Sequence, residues 1–123
     1  MCILRASILV ASVALGGLPS MVQAQVLRCD IASKYQCDAS GGCQKVRAGV
    51  WNIVDVPKQT FARCDAKGCD KYPAQFSVAG AFISIALPQN GMLAKISSDG
   101  SMFLETATLM STALASFGAC REQ

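Results

Sequence analysis

Cysteine constrains the fold of this chain more than any other residue type. The 123-residue sequence holds seven cysteines, and all except Cys2 lie downstream of the N-terminal segment: Cys29, Cys37, Cys43, Cys64, Cys69 and Cys120. An even number of cysteines in a short chain with an export signal favours disulfides. Zinc sites use paired Cys-x-x-Cys spacings or histidine ligands, whereas these spacings are irregular and histidine is absent. We therefore predict three disulfides and no metal.

The sequence alone does not determine how six cysteines pair. We hypothesise that two disulfides close the shortest loops and that the third joins the two ends of the domain: Cys64–Cys69, Cys37–Cys43 and Cys29–Cys120. Because loop closure in the unfolded chain costs more entropy for longer loops, the end-to-end disulfide should stabilise the fold most.

The N-terminal segment has the features of a signal peptide. Arg5 is its one charged residue, an apolar run covers residues 6–18, and Val22-Gln23-Ala24 matches the small-x-small pattern of cleavage sites. We predict cleavage after Ala24 and one mature domain, residues 25–123, in the periplasm or outside the cell. A retained membrane anchor is the alternative, but a spanning helix needs about 20 apolar residues. No later run is long enough, so we expect that the mature chain does not span a membrane.

Short alternating segments separated by turn residues predict an all-β fold. β-Branched and apolar residues alternate in six segments, 46–56, 59–64, 72–79, 81–87, 92–97 and 102–108, as in half-buried strands. We predict a small antiparallel up-and-down barrel of about seven or eight short strands, stapled by disulfides, with a β-sandwich as the alternative. Turn-forming residues between Ala32 and Gln44 predict a loop there.

The segment 109–117 fits two patterns. Met110, Leu114 and Phe117 fall at helical spacing, but apolar and small residues also alternate along the same stretch. Short runs of this kind do not separate helix from strand by periodicity alone. Because predicted hairpins lead directly into the segment, we favour a strand and keep a C-terminal helix as the alternative.

Charged and aromatic residues crowd the segment 63–72. We predict that Cys64 and Cys69 make it the tip of a stapled hairpin, with a contact surface formed by Arg63, Lys67, Asp70, Lys71 and Tyr72. The competing interpretation is ordinary solvated charge, since exposed ion pairs are common and weak. Two carboxylates in this turn, Asp65 and Asp70, could approach each other as glycoside hydrolysis requires, but aspartate is also typical of turns.

Two isolated residues allow a functional interpretation. Alternation along 102–108 puts Glu105 on one face with Phe103 and Ala107. We expect that this face points outward, since charged residues are rarely buried unpaired; if it lines the barrel, Glu105 is a ligand-binding or structural carboxylate. Trp51 is the only tryptophan, and we expect it to pack against a disulfide rather than to serve as a binding platform.

The composition excludes several functions. Without histidine, the chain cannot use an imidazole base, and six paired cysteines would leave no thiolate nucleophile. Loss of Arg5 with the signal peptide lowers the formal net charge from +3 to +2, which is too little to indicate nucleic-acid binding. We expect no catalytic residues and no cofactor.

Three functional classes remain. The first is an exported, non-catalytic binding or interaction module whose partner is a protein of the cell envelope or the exterior. The second is an inhibitor of a secreted hydrolase; lysozyme inhibitors include small barrels of similar architecture, but their Ser-Gly motif followed by tyrosine is not reproduced in residues 77–82. The third is an enzyme that depends on carboxylates.

Overall fold

The computed structural model describes residues 25–123, and most of these residues are in β-strands. One 3₁₀ turn, Pro88–Asn90, interrupts ten strands: β1 Val26–Asp38, β2 Cys43–Val46, β3 Trp51–Asp55, β4 Thr60–Asp65, β5 Gly68–Pro73, β6 Gln75–Ala79, β7 Phe82–Leu87, β8 Met92–Ser97, β9 Phe103–Leu109 and β10 Thr112–Glu122. The all-β prediction is confirmed, although the strands outnumber the seven or eight expected.

The strands form one antiparallel sheet that curls into a nearly closed barrel. Their order is β5-β4-β3-β1-β10-β9-β8-β7-β6, and β2 pairs with β1 beside this path. The first and last strands thus lie side by side at the centre of the sheet, while the edge strands β5 and β6 are joined through Ala74 alone. A single continuous sheet confirms the barrel and shows that the β-sandwich alternative is wrong.

The C-terminal segment is a strand. β9 ends at Leu109, Met110 takes a positive φ of 52° in the turn, and β10 begins at Thr112. β10 then pairs with β9 and β1 along both of its sides. The prediction of a strand is confirmed, and the helical alternative is wrong.

The predicted loop between Ala32 and Gln44 is wrong. β1 continues through this region as far as Asp38, and only residues 39–42 form a turn before β2. The carboxylate of Asp38 accepts hydrogen bonds from the backbone N–H of Ser40 and the Ser40 hydroxyl. This end of β1 is mostly half-buried or exposed, so its side chains lack the apolar alternation by which a strand is recognised. The prediction of one strand over 46–56 is also wrong in part, because residues 47–50 are not in a strand.

The core lies inside the barrel and follows the predicted alternation. In β7 and β8 every second residue is buried, as the alternation predicted for 81–87 and 92–97 requires, and the residues between them are more exposed. The largest fully buried apolar side chains are Phe61, Phe103, Ile85, Ile96 and Val54. Full burial of a side chain of this size contributes about 1.5–3 kcal/mol, so these residues are the main hydrophobic support of the barrel.

The three disulfides join the predicted pairs. Each links two residues directly opposite each other on antiparallel strands, with Cα–Cα distances of 3.9–4.0 Å: Cys29–Cys120, Cys37–Cys43 and Cys64–Cys69. Three disulfides indicate an oxidising, exported environment. The predicted signal peptide and its cleavage site lie outside the described residues. Within residues 25–123, no helix has the length and apolar character needed to cross a membrane.

Candidate functional site

Glu105 lies inside the barrel, where it is only 3% exposed. It sits in the middle of β9, opposite Ser116 of β10 and Ala94 of β8. The inward face of β9 is the one that carries Phe103 and Glu105, and Phe103 is fully buried. The expectation that Glu105 points outward is therefore wrong. Burial of Phe103 determines which face of β9 turns inward. Because alternate side chains of a strand lie on the same face, Glu105 also points inward.

Two side chains from the other side of the barrel hold the Glu105 carboxylate. Arg63 Nη2 donates to Oε1 in a close ion pair, and Asn52 Nδ2 donates to Oε2 at 3.2 Å. Asn52 and Arg63 are directly opposite each other on β3 and β4. Because β3, β1 and β10 separate β4 from β9 in the sheet, the ion pair bridges the barrel interior. We call Asn52, Arg63 and Glu105 the interior cluster.

The electrostatics of the interior cluster are asymmetric. The side chain of Glu105 is 4% exposed and that of Arg63 is 36% exposed, so the carboxylate is desolvated while the guanidinium is partly hydrated. A buried charge is tolerated only when it is paired and hydrogen-bonded, and both oxygens of Glu105 meet that condition. Asn52 is fully buried, and its Oδ1 has no hydrogen-bond partner among the described residues.

A cavity of about 380 Å³ adjoins the interior cluster on the side of Arg63. We call it the Arg63 pocket, and its lining residues come from both halves of the sheet: Phe61, Arg63, Tyr72, Leu87, Gln89, Asn90, Met92, Ala107, Leu109 and Leu114. Exposed members such as Gln89 and Leu109 put its mouth at the surface. Arg63 Nη2 also lies 3.6 Å from the Met92 sulfur. The pocket therefore combines apolar walls with one cationic group.

The predicted contact surface at 63–72 does not form one patch. Register on β4 and β5 places Arg63 opposite Asp70 and Phe61 opposite Tyr72, all on the inner face. Lys71, opposite Ala62, points to the other face. Of the predicted binding residues, the fold brings together Arg63, Tyr72 and Glu105 around the pocket and the interior cluster. It leaves Lys67 and Lys71 exposed elsewhere on the hairpin, and Asp70 exposed beside the pocket.

The remaining predicted residues have structural roles. Asp65 accepts hydrogen bonds from the backbone N–H groups of Lys67 and Gly68 at 2.8 and 3.2 Å, so its carboxylate stabilises the hairpin turn. Trp51 is half-buried and lies opposite Cys64 of the hairpin disulfide. The guanidinium of Arg28 stacks on its ring at 4.6 Å, which covers one face of the only tryptophan.

Two turn carboxylates have lowered pKa values. The hydroxyl and backbone N–H of Ser101, with the hydroxyl of Ser97, hold the pKa of Asp99 down at about 2. Hydrogen bonds from Ser40, and then from the backbone of Gly42, lower the pKa of Asp38. Both carboxylates are exposed and stabilise turns, so their lowered pKa values reflect hydrogen bonding within those turns.

Sequence reasoning missed Asn52 and most of the pocket. Asn52 was visible as one polar residue on the alternating face that includes Val50 and Val54, and a polar residue on such a face is a signal for an interior hydrogen bond. The pocket residues from 87–92 and 107–114 carried no such signal, because each is an ordinary apolar or turn residue. Across residues 25–123 no group of three or more potential metal ligands comes together. No protein-family model, curated protein or solved structure matches the chain.

Proposed function

We propose that this protein is a small exported binding module, periplasmic or secreted, that holds a small ligand in the Arg63 pocket and does not catalyse a reaction. Export rests on the predicted signal peptide, residues 1–24, and on the three disulfides. The observation that carries the proposal is a ligand-sized cavity of about 380 Å³ with apolar walls and one anchored cation. Small-molecule sites usually have volumes of about 300–1,000 Å³ and few polar groups.

The chemistry of the side chains supports binding over catalysis. Histidine is absent from the whole sequence, and the six cysteines of the described part are consumed in disulfides. Glu105 is the buried carboxylate closest to the pocket, but both of its oxygens accept hydrogen bonds and it does not line the cavity. A general acid or base must reach the substrate, and Glu105 instead holds Arg63 in place.

The construction of the barrel favours a preformed pocket. Phe61 and Tyr72 belong to β4 and β5, whose hairpin is closed by Cys64–Cys69. Arg63 is fixed by its ion pair to β9, on the opposite wall. Pre-organisation reduces the ordering cost that a ligand must overcome on binding, so a rigid pocket suits a small ligand.

The methionines provide a direct test of the proposal. Octanol is titrated into protein with labelled methionine methyl groups, and we expect a saturable shift of Met92, which lines the pocket, with no shift of Met102, which does not. The variant Ala107→Trp fills the cavity and should abolish the shift. The matched control Thr108→Trp places the same ring at the neighbouring exposed position of β9 and should retain it. Absence of any Met92 shift in the unmodified protein would overturn the proposal.

A further inference from the structure

Arg63 sets the chemistry of the pocket. Of the described residues that line the cavity, Arg63 alone carries a formal charge. The other walls are mainly aliphatic or aromatic carbon, with Gln89 and Asn90 at the exposed rim. A ligand that fits this arrangement needs an apolar body and one polar end.

Most N–H donors of the Arg63 guanidinium have no partner among the described residues. Arginine carries five N–H donors in a planar fork. In the described part of the chain, the side chain of Arg63 donates only from Nη2, to Glu105 and weakly to the Met92 sulfur. Its side chain is 36% exposed, so the remaining donors have access to water or to a ligand. A carboxylate is the small acceptor that matches an arginine fork best, because two parallel hydrogen bonds can form.

We propose that the Arg63 pocket binds a small amphiphile with a carboxylate head group and an aliphatic body. This inference rests on the proposed function of the pocket. The carboxylate accepts hydrogen bonds from Arg63, and the aliphatic body packs among Leu87, Met92 and Leu114. The cavity of about 380 Å³ is at the small end of ligand sites, which favours a single short chain over a large or branched lipid.

Neighbouring carboxylates limit how strongly the head group is preferred. Glu105 already neutralises Arg63, but both of its oxygens are engaged and it is buried behind the guanidinium. Asp70 lies opposite Arg63 on the same face, is exposed and forms no ion pair among the described residues. Hydrogen bonds to charged groups are stronger than those between neutral groups. Repulsion between Asp70 and the head group weakens this preference, and we expect a carboxylate to improve binding about tenfold.

The test compares probes that differ only in the head group. The protein as recovered after export is titrated at neutral pH with octanoate, octanol and octylammonium, and binding is followed at the Met92 methyl group. We expect octanoate to bind about tenfold more tightly than octanol, and octylammonium to bind most weakly. The substitution Asp70→Asn removes an exposed charge without touching the core, and it should tighten octanoate several-fold while leaving octanol unchanged.

A paired substitution tests the role of Arg63 itself. Arg63→Met with Glu105→Gln removes both charges together, so no buried charge is left unpaired; octanoate should then bind no better than octanol. Lys71→Met, on the opposite face of the hairpin, should leave all three affinities unchanged. Equal binding of octanoate and octanol to the unmodified protein would overturn the carboxylate inference but leave the binding proposal intact. Failure of every probe would overturn both, and an octanoate preference that survives the paired substitution would overturn the assignment to Arg63.

Discussion

The interior cluster makes a quantitative prediction about stability. Arg63→Met leaves the Glu105 carboxylate buried with Asn52 as its remaining donor. Removing one partner of a buried ion pair costs about 3–5 kcal/mol, and because the Arg63 side chain is 36% exposed we expect the lower end, about 3 kcal/mol. Glu105→Gln keeps the hydrogen bond from Arg63 to Oε1 and leaves its cation partly hydrated. The new amide nitrogen replaces the oxygen that accepts from Asn52, and it can donate to the unpartnered Asn52 Oδ1 once the Asn52 amide turns over. The loss should therefore be about 1 kcal/mol, the net value of a typical hydrogen bond.

The double variant separates the pair from its surroundings. With Arg63→Met and Glu105→Gln together, no unpaired charge remains, and the loss should be close to that of Glu105→Gln alone. Urea denaturation measures each free energy of unfolding, and a loss of about 3 kcal/mol corresponds to a fall in Tm of roughly 12–24 °C for a domain of this size. Lys71→Met is the control and should change stability by less than about 0.5 kcal/mol. Additive losses would refute the coupling between Arg63 and Glu105.

The remaining predictions concern the disulfides, one glycine and one turn. Replacing Cys29 and Cys120 by alanine should lower the free energy of unfolding by about 4.6 kcal/mol through loop entropy, and replacing the cysteines of the β4–β5 hairpin disulfide should lower it by about 2 kcal/mol. Urea denaturation of both variants measures these losses, and a larger loss for the hairpin variant would contradict the loop-length argument. Gly118→Ala should lower Tm sharply, because the added Cβ would overlap a backbone carbonyl oxygen of β1. Gly49 has open space around it, so Gly49→Ala should leave Tm nearly unchanged. Equal Tm values for the two variants would contradict the close approach of β1 and β10. Hydrogen bonds lower the pKa of Asp99 to about 2 from an ordinary 3.8. The ionised carboxylate therefore stabilises the fold fully above pH 3.8, and this stabilisation is lost as the pH falls toward 2. An NMR titration of the Asp99 carboxyl should have its midpoint at about 2, and a midpoint near 3.8 would show that the turn does not stabilise the ionised form.

Much of the fold was predictable because several sequence signals agree. The period-two alternation of 81–87 and 92–97 predicted the strands β7 and β8 and the faces that they turn inward. The hypothesised disulfide pairs are the ones that form, although the sequence alone does not determine how six cysteines pair. Where alternation is weak, as along the exposed end of β1, the prediction failed: this part of the strand is stabilised by pairing with β10 and β2, not by an apolar face.

The candidate site was harder to predict because it depends on contacts across the barrel. Arg63 and Glu105 are 42 residues apart in sequence, and nothing local to either residue indicates that they meet. The prediction that Glu105 points outward followed from the cost of burying an isolated carboxylate. The prediction was wrong because Arg63 and Asn52, which pair with the carboxylate, come from strands distant in the sequence. The pocket likewise arises from the curvature of the sheet, which residue types do not specify.

The most direct test of the account is the position of a bound ligand. Intermolecular nuclear Overhauser effects should be measured between octanoate and the methyl groups of the labelled protein. The account predicts contacts from the aliphatic chain to Met92 and Leu114, which line the Arg63 pocket, and none to Leu93 on the exposed face of β8. Contacts confined to Leu93 and other residues outside the Arg63 pocket would contradict the claim that the barrel binds its ligand beside Arg63.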